Sequence, residues 1–320
     1  MCHARSWLTA LLCLAAGAAW AQDLLDQPIR VVVPYSAGSS LDARARVVSE
    51  AVGQRIKRRV IVENRPGAGG TLGTLYVARA RPDGTTLLFN NNSHVVSPHV
   101  YRETGYDTLA DLVPVAQAYT AGLVLVVHPS LRVGSVKELV ALARSGAAPP
   151  AYASSGTGSL PHLAMEMFMR AAGIGLAHVP YRGDAQGLTD VLAGRVQVMI
   201  SGYPAAQPHV RAGTLRALAV TSSTRAGIFP DAPTMSEAGY PGATLDAWAG
   251  YFAPASMPRA LVERLNRDIA AALAQPSIQA HFAATGAQAA GGSPAAFAAI
   301  VKREWDLYAK LVRALKLAPE

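Results

Sequence analysis

The sequence predicts an α/β protein with mixed, mainly parallel sheets and two domains. Short β-branched runs alternate with segments of helical period along most of the chain, the signature of βαβ units. The pattern starts afresh after a buried-strand run at Leu123 to Val127. A chain of 320 residues also exceeds the roughly 50–250 residues that one domain ordinarily holds.

Ile29-Arg30-Val31-Val32-Val33 reads as the first strand. Leu41 to Ile56 follows as a helix, with Leu41, Ala45, Val48, Val52 and Ile56 on one apolar stripe. Val60-Ile61-Val62 is the second strand, and Pro66-Gly-Ala-Gly-Gly70 leads into a helix ending near Ala80. The turn Pro82-Asp83-Gly84 feeds a strand from Thr86 to Asn90. Beyond Val127, Ser135 starts a helix, Ala151 to Ala153 is a strand and Leu160 to Ala172 a helix. Ala177 to Val179, Val196 to Ile200 and Leu215 to Val220 are further strands. After Pro254 the chain turns helical, from Arg259 to Ala274 and from Pro294 to Leu315.

Residues 1–22 have the layout of a secretory signal peptide: His3 and Arg5, an apolar run from Trp7 to Ala19, and Ala19-Trp20-Ala21 as the exit. Cleavage is expected after Ala21, giving a periplasmic protein. Leu12 before Cys13 argues against lipid anchoring. Cys2 and Cys13 both fall in the removed segment, so the mature chain has no thiol. A chain of about 300 residues folds without disulfides. No later segment approaches about eighteen apolar residues in a row.

The formal charge of +8 becomes +7 once Arg5, the only charged residue of residues 1–21, is removed. The basic residues are dispersed apart from Arg55-Ile-Lys57-Arg58-Arg59, which has no aromatic platform for nucleic acid. A diffuse positive field suits an anionic solute.

Three loops carry candidate chemistry. The first, Tyr35-Ser36-Ala37-Gly38-Ser39-Ser40-Leu41-Asp42, joins a strand to a helix start, where free N–H groups and the dipole favour a carboxylate. Ser39-x-x-Asp42 also fits a capping box with Asp in place of Glu, and both readings stand. The second, Ser154-Ser155-Gly156-Thr157-Gly158-Ser159, has the same setting, with Ser159 as N-cap and Pro161 in the first turn. His162 lies in that first turn, where the dipole disfavours a cation, so a neutral imidazole is expected. In the third, His178 to Asp184, Arg182 offers a bidentate clamp or an ordinary surface charge.

Enzymatic motifs fare worse. Ser155 and His162 could be drawn as nucleophile and base, but no G-x-S-x-G elbow is present. Gly67 to Gly73 misses G-x-G-x-x-G by one position, so no cofactor is implied. His94 and His99 lack H-E-x-x-H spacing, so no metal is expected.

Taken together, the chain resembles the Bug-type substrate receptors of tripartite tricarboxylate transporters. The matching segments are Val33-Pro-Tyr…Gly38…Asp42, Glu63-Asn-Arg-Pro-Gly-Ala-Gly-Gly70 and Pro82-Asp-Gly-Thr85. Ser154 to Ser159 with His162-Leu163, His178-Val-Pro-Tyr-Arg-Gly183, Ala232-Pro-Thr-Met-Ser-Glu-Ala-Gly239 and Phe252-Ala-Pro-Ala…Pro258 follow in family order. The resemblance implies a two-lobed, type II periplasmic-binding-protein fold with two crossovers. Lobe 1 would comprise 22–122 plus 249–320, lobe 2 would comprise 123–248, and a ligand cleft would lie between them. It implies binding of a small carboxylate, whether di- or tricarboxylate, amino acid or aromatic acid, with Asn92, Asp184 and Gly202 joining the loop residues at the site. Delivery to membrane permease subunits, or to a sensor protein, would follow, from a monomer. A periplasmic hydrolase is the remaining alternative. The family's usual Gly-Gly in the first loop is Gly38-Ser39 here, which puts the usual ligand pose in question.

Overall fold

A computed structural model describes residues 27–101, 103–145, 149–181 and 183–315. The expected signal segment with its cut after Ala21, and Arg182, lie outside the described residues.

The chain opens with β1 (Ile29–Val33), α1 (Ser40–Ile56), β2 (Val60–Asn64), α2 (Thr71–Ala78), β3 (Thr86–Asn91), α3 (Ser93–Val100) and β4 (Leu112–Ala121). It continues with β5 (Leu123–Val127), α4 (Val136–Arg144), β6 (Ala151–Ser154), α5 (Leu160–Ala172), β7 (Ala177–Pro180), α6 (Asp184–Leu192), β8 (Val198–Gly202), α7 (Tyr203–Arg211) and β9 (Arg216–Val220). Last come β10 (Ala247–Pro254), α8 (Arg259–Leu273), α9 (Pro276–Ala284), β11 (Gln288–Gly291) and α10 (Pro294–Ala314). One sheet has the order β11-β4-β10-β3-β1-β2 and the other β7-β6-β8-β5-β9, which gives two α/β lobes.

Both sheets are mixed: the first has two parallel and three antiparallel pairs, the second two of each. β1 runs parallel to β2 and β3, and β6 parallel to β7 and β8, as βαβ units require. The antiparallel pairs, β10 with β3 and β4, β11 with β4, and β5 with β8 and β9, all involve strands at or beyond the inter-lobe crossings. The cause is local: β4 and β5 are separated by Gly122 alone, so the chain changes sheets without a helix to reverse it.

Both faces of each sheet are covered, so the central strands are largely apolar. Val31 and Val33 pack with Leu41, Ala45 and Val48 of α1, while Val32 and Leu88 face the opposite cluster with Trp248 and Phe297. In the second sheet Leu123, Leu125 and Val127 face one side, and Val124 and Val126 the other. Truncating Leu88 to Ala in such a setting costs about 2–5 kcal/mol.

The lobes are joined where β4 passes into β5 and where the chain returns from β9 to β10. Thr221 stitches both. Its Oγ1 accepts from Leu123 N–H at 2.9 Å and donates to the Leu245 carbonyl at 2.8 Å. Its own N–H donates to Leu123 O, and its carbonyl accepts from Leu245 N–H, each at 2.8 Å. Gly122 is glycine for space, since a Cβ there would lie 2.2 Å from the Tyr203 hydroxyl oxygen and 2.8 Å from Ser222 Cβ.

Candidate ligand-binding cleft

Five helices, α1, α3, α5, α6 and α7, begin at the carboxyl ends of β1, β3, β6, β7 and β8. Their first turns all reach the wall of one cavity of about 220 Å³. Ser40 and Arg44 come from α1, Asn92 from the start of α3, Leu160 and Pro161 from α5, Asp184 from α6 and Gly202 to Pro204 from α7. Tyr119, Gly122, Leu123, Ala247 and Trp248 of the crossings complete the wall with Thr285. The volume lies below the roughly 300–1,000 Å³ of drug-sized pockets and suits a small metabolite. A larger hollow of about 640 Å³, against Val210, Leu215 and Phe229, draws on the second lobe only and lacks this convergence.

The first loop is built around Asp42. Ser39 caps α1 with φ −66° and ψ 157°, its Oγ accepting from Asp42 N–H at 3.2 Å. Asp42 Oδ2 in turn accepts from Gly38 N–H at 2.9 Å, and Oδ1 from Asn64 Nδ2 at 2.9 Å. Arg46 pairs with the same carboxylate at 3.0 Å. Burial at 3% exposure would raise this carboxyl, but the donors Arg46, Gly38 and Asn64 outweigh it and hold the group below its usual range. Asp42 is therefore committed to the helix start. The additional side chain at Ser39 serves the same cap and does not narrow the cavity. Tyr35 donates its hydroxyl to Asn91 Oδ1 at 3.3 Å, and Ser36, Ala37 and Gly38 are exposed outside the cavity wall. Of the first-loop candidates, Ser40 reaches the wall.

The second loop repeats the device with other chemistry. Ser159 has φ −67° and ψ 158°, its Oγ accepts from His162 N–H at 3.4 Å, and His162 Nδ1 accepts from Gly158 N–H at 3.0 Å. The imidazole stacks on His178 at 4.3 Å between ring centroids, and His178 stacks on Tyr152 at 4.7 Å. Burial, with repulsion from His178, lowers the His162 pKa to about 4, so the ring is neutral as the sequence leads one to expect. Desolvation is the larger of the two causes. Ser154 Oγ meets His178 Nε2 at 2.7 Å beneath the loop, and Gly156 (φ 124°) and Gly158 (φ 76°) need the left-handed region. A Cβ at Gly158 would lie 3.1 Å from Val100 Cγ1 of α3, so the tip of this loop rests on the other lobe. Ser155 lines the cavity; Ser154, Gly156, Thr157, Gly158, Ser159 and His162 form its support.

Asp184, Gly202 and Asn92 also line the cavity. Burial pushes the Asp184 carboxyl above its usual value, with the Ser155 hydroxyl and Gly202 N–H pulling the other way. Its Oδ1 is sealed from solvent with no hydrogen-bond partner among the described residues. The Asn92 amide is spent: Nδ2 donates to Glu304 Oε2 at 2.9 Å, and Oδ1 accepts from Trp248 N–H at 2.8 Å. Trp248 Nε1 donates to the same Glu304 oxygen at 2.6 Å, and burial pushes Glu304 up to about 7.

Sequence reasoning passes over Arg44, Tyr119, Tyr203, Trp248 and Thr285. For Arg44 a signal exists: it stands one turn after Ser40, and residues four apart share a helix face. Among the described residues no group of three or more His, Cys, Asp or Glu could hold a metal, and no helix is long and apolar enough to cross a membrane.

Two mixed-sheet lobes, two adjacent crossings and a polar cleft at the helix starts define a two-lobed solute-binding protein of the periplasmic type. Comparison with known sequences places it further: residues 44–317 match the tripartite tricarboxylate transporter family receptor, and the chain belongs to that family. It is of the Bug type, similar to BugT of Bordetella pertussis, with 35% identity over 289 residues covering 90% of this chain and 89% of that one. The solved periplasmic binding protein BugD is similar at TM-score 0.76 and 31% identity, over 92% of this chain and 99% of that one. An R. palustris protein solved with adipate is similar at TM-score 0.79 and 33% identity, over 92% and 98%.

Proposed function

We propose that this chain is a periplasmic receptor, not an enzyme, which captures a small carboxylate between its lobes and delivers it to a tripartite tricarboxylate-type transporter. The lobes are residues 22–122 with 249–320, and 123–248, and export follows from a signal peptide cut after Ala21. The observation that carries the reading is the convergence of five helix starts, drawn from both sheets, on one small cavity. The adipate held by a relative of the same fold supports the ligand class. Closure follows because each lobe supplies part of the wall, so that only the closed form offers every contact.

Energetics agree with modest affinity. Charge-assisted hydrogen bonds of about 1.5–3 kcal/mol each, less the ordering cost, reach the ~8 kcal/mol of micromolar binding with a handful of contacts. A non-catalytic reading is supported by the serines. Ser155 neighbours Asp184 rather than a histidine, and Ser154, beside His178, is fully buried.

The test is thermal shift and calorimetry of the mature chain against adipate and a panel of di- and tricarboxylates, amino acids and aromatic acids. A ligand at a hundredfold its Kd should stabilise the fold by about 2.7 kcal/mol. Ser155→Asp, which adds an anion to the cavity wall, should abolish that gain. A variant that binds within twofold of wild type would show that the ligand sits elsewhere.

A further inference from the structure

Among the described residues, two charged groups of the cavity wall lack a counter-ion, and they come from different lobes. Arg44 is 8% exposed, and its guanidinium carbon lies 4.5 Å over the Tyr119 ring. Its Nη2 donates to Thr285, at 3.2 Å to Oγ1 and 3.5 Å to the carbonyl. Among the described residues no carboxylate comes within ion-pairing distance of it, and Nε and Nη1 have no protein acceptor. A guanidinium offers five N–H donors in a fixed fork suited to a carboxylate, so most of this fork is left for something else. Asp184 presents the complementary deficit, a sealed Oδ1 with no donor. A buried acceptor without a donor, like a buried charge without a partner, is a standing cost that a ligand can relieve.

Resting on the carboxylate-capture reading above, we propose that Arg44 and Asp184 read the two charges of one zwitterionic ligand, so that the cleft selects amino acids over plain carboxylates of the same skeleton. Arg44 takes a carboxylate and Asp184 Oδ1 accepts from the ammonium group. Asp184 bars a ligand that brings only negative charge, since a second anion beside an unpaired carboxylate oxygen is repelled. Arg44 bars a ligand that is only a cation. The selectivity is thus a difference of two terms, one attractive and one repulsive, for each end of the ligand.

Aspartate, malate and succinate share one skeleton and differ at carbon 2 in ammonium, hydroxyl or hydrogen; glutamate, 2-hydroxyglutarate and glutarate repeat the series one carbon longer. The remaining standard amino acids are screened beside their deaminated acids. Calorimetry on wild type should show the amino acid binding at least tenfold more tightly than its deaminated partner. Asp184→Asn should remove at least tenfold of the amino acid's affinity and leave or improve that of the deaminated acid. Arg44→Gln should weaken both. A deaminated or hydroxy acid that binds wild type as tightly as its amino acid would overturn the assignment while leaving carboxylate capture standing. So would an Asp184→Asn variant, folded by circular dichroism, that keeps its preference. If no member of any series shifts the melting temperature of wild type, the capture reading fails with it.

Discussion

The helix starts at Ser39 and Ser159 have the same backbone and opposite electrostatics. Their cap dihedrals agree within 1°, each serine accepts from the N–H three residues on, and in each a side chain at that third position reaches back to a glycine N–H. In α1 the reaching group is the ionised Asp42, held by Arg46 and Asn64; in α5 it is the neutral His162, held in a ring stack. A helix N-terminus carries about half a positive charge, which a carboxylate offsets and a neutral imidazole does not. The dipole of α5 is therefore not offset by its own cap, whereas that of α1 is. On the first lobe the positive charge facing the cavity comes instead from Arg44, one turn further along α1.

If this comparison holds, removing the reaching group should cost more in the first loop. Asp42→Ala leaves Gly38 N–H without an acceptor and takes the carboxylate from Asn64, which keeps the Tyr35 carbonyl, and from the half-exposed Arg46; it is expected to destabilise the fold by about 2–3 kcal/mol in urea unfolding. His162→Asn, which keeps an acceptor for Gly158, should cost about 1–2 kcal/mol. Equal losses would mean that the charge is incidental.

Acid should separate the loops next. The His162 pKa is lowered to about 4, so between pH 6.5 and 4 the unfolded chain binds a proton that the folded one refuses, and stability falls with the pH. The full span is about 3 kcal/mol, complete below pH 4. Asp42, whose pKa is lowered below 3.8, gives way only in stronger acid. Glu304, pushed up to about 7, has the opposite sign: its share is present below pH 4.5 and is lost as the pH rises toward 7. His94 and His178, also lowered by burial, add to the His162 slope. The readout is accordingly the difference between wild type and His162→Asn at pH 7, 5 and 4, which should close near pH 5 and reverse by pH 4. A gap that stays constant would show that His162 does not titrate there.

The smallest effect tests the likeness rather than the contrast. Ser39→Ala and Ser159→Ala should each cost about 1 kcal/mol, within a few tenths of each other, by chemical denaturation. A difference above about 1 kcal/mol would mean that the matching dihedrals conceal different caps.

The sequence was most legible where local chemistry decides structure. The strand at Ile29 to Val33, the serine caps at Ser39, Ser135 and Ser159 and the helix from Leu160 to Ala172 follow from apolar runs and capping residues. Strand β4 was hidden because Pro114 and Gln117 interrupt its apolar pattern, and α7 because Pro204 and Pro208 read as breakers. Within the site, Ser40, Asn92, Ser155, Asp184 and Gly202 line the cavity, while Asp42 and His162 turned out to be braces behind it. A carboxylate that caps and one that meets ligand look alike in sequence, and the fold alone tells them apart. Arg44 was legible only as a position one turn after Ser40, and Trp248 not at all, because their importance depends on Thr285, Tyr119 and Glu304, far away along the chain.

Thr221 holds Leu123 and Leu245, the two ends of the second lobe, side by side through four hydrogen bonds. A segment whose ends meet at one point is attached to its host as a cassette is, through a single seam. Such a lobe can drift or be exchanged in descent without disturbing the strand order of the other, provided the seam is kept. Receptors of one ancestry could in this way acquire new solutes by altering half of the pocket at a time.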